Sequence, residues 1–131
     1  MKTVYLSLGS NLGDREMHLQ GAIDGLAAAG VRVLRVSPVY ETAPVGGETQ
    51  PWFLNAVVEA ETELMPMQLL ARMQRIEHAF GRRRRAPNTP RTLDIDILLF
   101  GKTTIVDSAR LTMPHPRFHE RRFVLAPLAD L

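Results

Sequence analysis

Between Thr3 and Phe100 the apolar residues of this chain switch repeatedly between a period of two and a period near 3.6. The order of those switches leaves few possible folds. "TVYLSLGS" alternates, which predicts a first strand running into the turn "GSNLGD". From Asp14 or Arg15 onward, Met17, Leu19, Ile23, Leu26 and Ala27 recur near helical spacing, and Gly30 is placed to end the helix. "VRVLRVSPVYET" alternates again as a second strand, with Val31, Val33 (or Leu34) and Val36 toward one side and Pro38 marking an edge or a bulge. The Pro/Gly loop "APVGGETQP" leads to a third strand, "WFLNAVVEAET". Pro66 opens a second helix with Leu69, Leu70, Met73, Ile76 and Phe80 inward, and Gly81 ends it. A basic loop, "RRRRAPNTP", then enters a fourth strand, "LDIDILLF". The predicted order is β-α-β-β-α-β, an α+β fold of the ferredoxin-like kind. The remaining tail reads as an extension holding a short hairpin or strand and a short helix near Pro116 to Arg122.

No linker, repeat or low-complexity stretch divides the chain, so residues 1–131 are expected to form a single domain with a core of adequate size. No apolar run is long enough to span a bilayer, and the N-terminus reads as a strand rather than a signal peptide. There are no cysteines, which excludes disulfides and thiolate chemistry and fits a cytoplasmic location.

The fourth strand carries the chemistry. Asp94 and Asp96 are spaced i, i+2 and share one face, while Leu93, Ile95 and Ile97 point into the core. At ~3.3 Å rise per residue the two carboxylates repel by roughly 3 kcal/mol at an effective dielectric near 20. Arginines or a divalent metal ion would relieve that repulsion. The bland alternative is a strand whose second face is simply in water. Eleven arginines lie between Arg72 and Arg122, in the same half of the chain as the two acids. Four of them are consecutive in "GRRRRAPNTPR", and their forked donors match phosphate oxygens. A solvated basic loop or a nucleic-acid patch would also account for that run. Metal on the aspartates together with arginines around one polyphosphate explains both features at once.

Elsewhere the signals are weaker. The turn around Gly9, Gly13 and Asp14 lacks the Lys-Ser/Thr of a phosphate loop and reads as a structural turn capping a helix. His115 and His119 stand at i, i+4, but Pro114 and Pro116 argue against one helix presenting both to zinc. His115 suits a phosphate donor better. Phe53 and Asn55 share a face and would suit a flat heterocycle; core packing for Phe53 is the ordinary alternative.

"GSNLGD", "QPWFLNAVV", "PRTLDIDILLFG" and "LTMPHPRFHERRFVLAPLADL" together resemble the 6-hydroxymethyl-7,8-dihydropterin pyrophosphokinase family over nearly the whole chain. That resemblance implies transfer of pyrophosphate from ATP, as co-substrate, to the pterin hydroxymethyl group, with AMP leaving, in folate biosynthesis. It implies two Mg2+ ions on Asp94 and Asp96. Arg82, Arg84 and Arg91 join those acids as catalytic residues. The ATP side comprises Gln74, Glu77, Arg82, Arg84, Arg91, Ile97, Arg110, Thr112, His115 and Arg121, with Glu77 ordering basic groups rather than touching phosphate. Thr42, Pro44, Val45, Phe53, Asn55 and Phe123 match the pterin pocket. Small-molecule substrates and a monomer are expected, without nucleic acid or membrane. The chain departs from many relatives in two places: "APNTP" holds no tryptophan, and Phe53 stands where a tyrosine is common. The rivals are an RNA-binding module, disfavoured by two acids in a sheet strand, and a simple kinase making ADP.

Overall fold

The structure, a computed structural model, describes residues 1–43, 51–81, 92–101, 106–107 and 112–113. In chain order the elements are β1 (Lys2–Ser10), α1 (Arg15–Ala28), β2 (Val31–Val36), β3 (Tyr40–Thr42), β4 (Phe53–Thr62), α2 (Pro66–Ala79), β5 (Asp94–Phe100), β6 (Val106–Asp107) and β7 (Thr112–Met113). The chain is thus α+β, with an antiparallel sheet of spatial order β2-β4-β1-β5 and β3 added beside β4.

The strand period divides the sheet into two faces. Val4, Leu6 and Leu8 of β1, Val58 and Ala60 of β4, and Ile95 and Ile97 of β5 form one core with Leu19, Ala22 and Leu26 of α1 and Leu69, Met73 and Ile76 of α2. Both helices therefore cover the same face. Leu93, Ile95 and Ile97 are buried there as the sequence predicts, and Asp94 and Asp96 alternate with them at half-buried positions.

"ILLF" cannot obey a strict period of two and still bury both Ile97 and Phe100 on one face. A bulge resolves this. Leu6 pairs with Ile97 but Tyr5 pairs with Leu99, so Leu98 is the extra residue and Phe100 returns to the core opposite Val4.

Local signals set the helix ends. The Asp14 carboxylate accepts the Met17 amide at 3.1 Å, Pro66 takes the first turn of α2, and the Met65 amide donates to Gln68 Oε1 at 2.8 Å. Gly30 and Gly81, at φ of 89° and 84°, close the two helices. Of the predicted helical set, Leu19 and Leu26 are buried and Ile23 packs against the core, whereas Met17 and Ala27 are exposed; His18 and Ala22 complete the buried stripe. The helix needs only a narrow seam where Gly21 and Gly25 admit α2: a Cβ on Gly21 would stand 2.2 Å from Phe80 Cζ.

A second correction concerns "VRVLRVSPVYET", which forms β2 and β3 rather than one strand. Pro38 has no amide to give to the ladder. Just before it, the Ser37 amide donates to the Val57 carbonyl, and Ser37 Oγ accepts the Val57 amide, both at 2.9 Å. A side chain thus replaces a backbone partner at the break. Leu34 and Val36 are exposed rather than core. In the tail, β6 and β7 form the expected short hairpin, and β7 runs close to β5. The helix predicted near Pro116 to Arg122 lies outside the described residues.

Candidate functional site

The sheet face away from the helices carries the candidate residues. Register fixes their arrangement, because paired residues on antiparallel strands share a face. Gly9 pairs with Asn55 on one side and Asp94 on the other, and Tyr40 pairs with Asn55. One row therefore reads Tyr40, Asn55, Gly9, Asp94. In the next row Ser7 lies between Val57 and Asp96. With strands ~4.8 Å apart, the Asn55 and Asp94 backbones stand roughly 10 Å from each other across a glycine floor.

The floor has to be bare. A Cβ at Gly9 would sit 3.2 Å from Asn55 Oδ1 and 3.5 Å from Phe53 Cδ1. Asn55 is nearly buried, and its Nδ2 donates to Thr42 Oγ1 at 2.7 Å, which fixes the amide and turns Oδ1 toward the gap over Gly9. Thr42 pairs with Phe53, so Thr42, Phe53 and Asn55 lie together on this face. They form an aromatic face beside an oriented amide.

On the other side, Asp94 and Asp96 are held by their own strand. The amide of Ile95, between them, donates to Glu77 Oε2 at 2.8 Å, so α2 anchors β5 at the middle of the acidic pair. The resemblance implies that Glu77 orders basic groups; the contact described here is instead to a backbone amide. Gln74 is exposed on α2. Ile97 is buried in the helix-side core, so its side chain lies behind the sheet from the acids. Thr112 lies in β7, beside β5. Arg82, Arg84, Arg91, Arg110, His115, Arg121, Pro44, Val45 and Phe123 lie outside the described residues.

The donor set is of the hard-oxygen kind that divalent cations such as magnesium take. Two carboxylates on one strand face supply hard oxygen ligands, and no group of three or more His, Cys, Asp or Glu gathers among the described residues. Mg2+ is commonly bound by one or two carboxylates, with water and substrate phosphate completing its shell.

Further down the same face, Glu59 accepts hydrogen bonds from Arg35 Nε and Nη2, both at 2.9 Å, and from the Tyr5 hydroxyl. The Arg35 bonds, then that of Tyr5, lower the Glu59 pKa to about 2. The bond to Glu59 raises that of Tyr5. The triad pins β2, β4 and β1 together below the site.

Sequence reasoning missed Gly9 as the floor, having read it as part of a turn. The signal was present in "TVYLSLGS": the residues between the large apolar ones shrink from Tyr5 to Ser7 to Gly9 toward the site. It also missed Arg15 and Asn11, which reach across to residues 41, 51 and 52. No local spacing reveals such contacts.

The fold is α+β, and the candidate residues gather on the sheet face away from the helices. Residues 5–131 match the family described as 7,8-dihydro-6-hydroxymethylpterin-pyrophosphokinase (HPPK), and the chain belongs to that family. It is 51% identical over 128 residues to the 2-amino-4-hydroxy-6-hydroxymethyldihydropteridine pyrophosphokinase of Bacillus subtilis, covering 97% of this chain and 76% of that one. The enzyme of the same name from Methylorubrum extorquens is 46% identical over 132 residues, covering 100% of this chain and 83% of its own. The folate synthesis bifunctional protein of Pisum sativum is 45% identical over 128 residues, but the match spans only 25% of that longer chain. Among solved structures, Plasmodium falciparum HPPK-DHPS superposes with a TM-score of 0.71 at 16% identity, covering 100% of this chain and 40% of that one. At that identity the likeness is one of fold.

Proposed function

We propose that this chain transfers pyrophosphate from ATP to the hydroxymethyl group of 6-hydroxymethyl-7,8-dihydropterin, releasing AMP, in folate synthesis. Family membership gives the reaction. The observation that supports its placement on this chain is the row Asn55, Gly9, Asp94, which sets a heterocycle-binding edge and a phosphate-side carboxylate across one bare floor.

In this reading Phe53 stacks on the pterin, and Asn55, oriented by Thr42, reads its edge. Pro44, Val45 and Phe123 complete that pocket. The hydroxymethyl group then projects over Gly9 toward the phosphates, where its oxygen attacks the β-phosphorus, its proton passes to Asp96 or to water, and the bond from the β-phosphorus to the α-phosphate oxygen breaks to release AMP. Such transfer asks a protein mainly for in-line positioning and charge neutralisation. Asp94 and Asp96 would hold two Mg2+ ions, which when bound would neutralise phosphate charge. Arg82, Arg84, Arg91, Arg110, His115 and Arg121 supply further cationic donors, and Gln74, Ile97 and Thr112 belong to the nucleotide side. Glu77 keeps β5 in register with the cleft through the Ile95 amide.

The finer assignments go with it. The order β2-β4-β1-β5 supports a ferredoxin-like core with β3 as an addition. We take residues 1–131 as one domain, working as a monomer in the cytoplasm; among the described residues no helix is long and apolar enough to cross a membrane. The deciding experiment incubates the protein with ATP, magnesium and the reduced pterin and resolves AMP from ADP. AMP with pterin diphosphate supports the proposal, ADP indicates a simple kinase, and absence of turnover refutes it.

A further inference from the structure

We infer that Arg15 is a positioning residue for the pterin side of the site, acting from behind the sheet. This rests on the function proposed above.

Arg15 Nη1 donates to the Glu41 carboxylate and to the Trp52 carbonyl, each at 2.8 Å. Glu41 immediately precedes Thr42, and Trp52 immediately precedes Phe53. One guanidinium therefore grips both strands of the β3–β4 pair at the point where Thr42 meets Phe53. Glu41 pairs with Leu54, whose side chain belongs to the helix-side core, so the clasp lies on the opposite face from Asn55. The same turn adds a second hold, because Asn11 Nδ2 donates to the Pro51 carbonyl at 3.0 Å.

The β3–β4 ladder comprises three residue pairs, joined by the Asn55–Thr42 side-chain bond. β3 is three residues long, at the short end of the usual strand range, so a clasp at its end bears directly on its register. A one-residue slip would turn Thr42 to the other face and remove the partner that orients Asn55. The Arg15–Glu41 pair is partly exposed, with side chains 30% and 52% accessible, so it contributes little to global stability. Its consequence is local geometry on the heterocycle side, with the carboxylates of β5 untouched. α1 thereby sets the pocket without contacting substrate.

The test measures KM for 6-hydroxymethyl-7,8-dihydropterin and for ATP, kcat and Tm in the wild type, Arg15→Ala, Arg15→Lys and Glu41→Gln. Arg15→Ala is expected to raise the pterin KM roughly three- to tenfold, the size of effect expected when one partly exposed charged hydrogen-bond group is lost. The ATP KM stays within about twofold, because the nucleotide side is anchored by α2 and β5. Arg15→Lys, which can still donate twice, restores most of the pterin affinity, and Glu41→Gln falls between. An active wild type with an unaffected Arg15→Ala variant overturns the inference. So does a loss shared equally by both substrates in step with a fall in Tm. A wild type that forms no AMP instead removes the proposed function itself.

Discussion

Asn55 and Asp94 are register partners of the same residue, Gly9, one on each side of β1. The amide and the carboxylate are thereby aligned across the sheet by backbone hydrogen bonds. Their separation is set by strand spacing, which side-chain motion cannot change. A site built this way is only as adjustable as the sheet itself.

Replacing Gly9 tests the bare floor. Its Cβ would crowd Asn55 Oδ1 at 3.2 Å and touch Phe53, and Gly9→Val adds two more methyl groups to the same gap. Overfilling of this kind typically costs about 1–3 kcal/mol, or roughly five- to 150-fold if expressed in affinity. Steady-state kinetics should show the loss in pterin KM before ATP KM.

The acidic pair is tested by Asp94→Asn and Asp96→Asn. Each keeps the size of the side chain and removes a charge from the face proposed to meet the phosphates. Turnover is expected to fall by orders of magnitude, roughly 3 kcal/mol or more of transition-state stabilisation, with Tm nearly unchanged. Equal rates in a coupled AMP assay would remove both residues from the mechanism.

The two glycines of α1 facing α2 should answer differently to alanine. At Gly25 the nearest Ile76 atoms would lie 3.4 Å from a new Cβ, ordinary contact, so Gly25→Ala gains helix propensity and stabilises by about 0.5–1 kcal/mol. At Gly21 the Phe80 ring stands 2.2 Å away and must move, so Gly21→Ala destabilises by about 1 kcal/mol despite the same propensity gain. Urea denaturation of the two variants side by side gives the signs.

Glu59 predicts an acid dependence. Its pKa is lowered from 4.5 to about 2 by the Arg35 and Tyr5 hydrogen bonds, so the folded state favours the carboxylate. The stabilisation is complete above pH 4.5 and lost as pH falls toward 2. Arg35 is half exposed, so the effect is smaller than the shift alone suggests. Glu59→Gln should show a lower Tm near neutrality and a shallower fall in Tm on acidification.

Much of this molecule was readable from its sequence, for a simple reason: the information is local. Alternation in "TVYLSLGS" and "LDIDILLF", Asp14 before one helix and Pro66 at the start of the other, and glycines at both helix ends act through neighbours a few residues apart. Those signals fixed the succession of elements and the shared face of Asp94 and Asp96. Tertiary structure decided what depends on pairing between distant segments. It split β2 from β3 at Ser37, where a side chain takes over a ladder bond from Val57, and placed the bulge at Leu98 that returns Phe100 to the core. It also made Gly9 the floor between Asn55 and Asp94. Register is a relation among strands more than 40 residues apart in sequence. No periodicity within one segment can specify it; the packing of both helices on one face does.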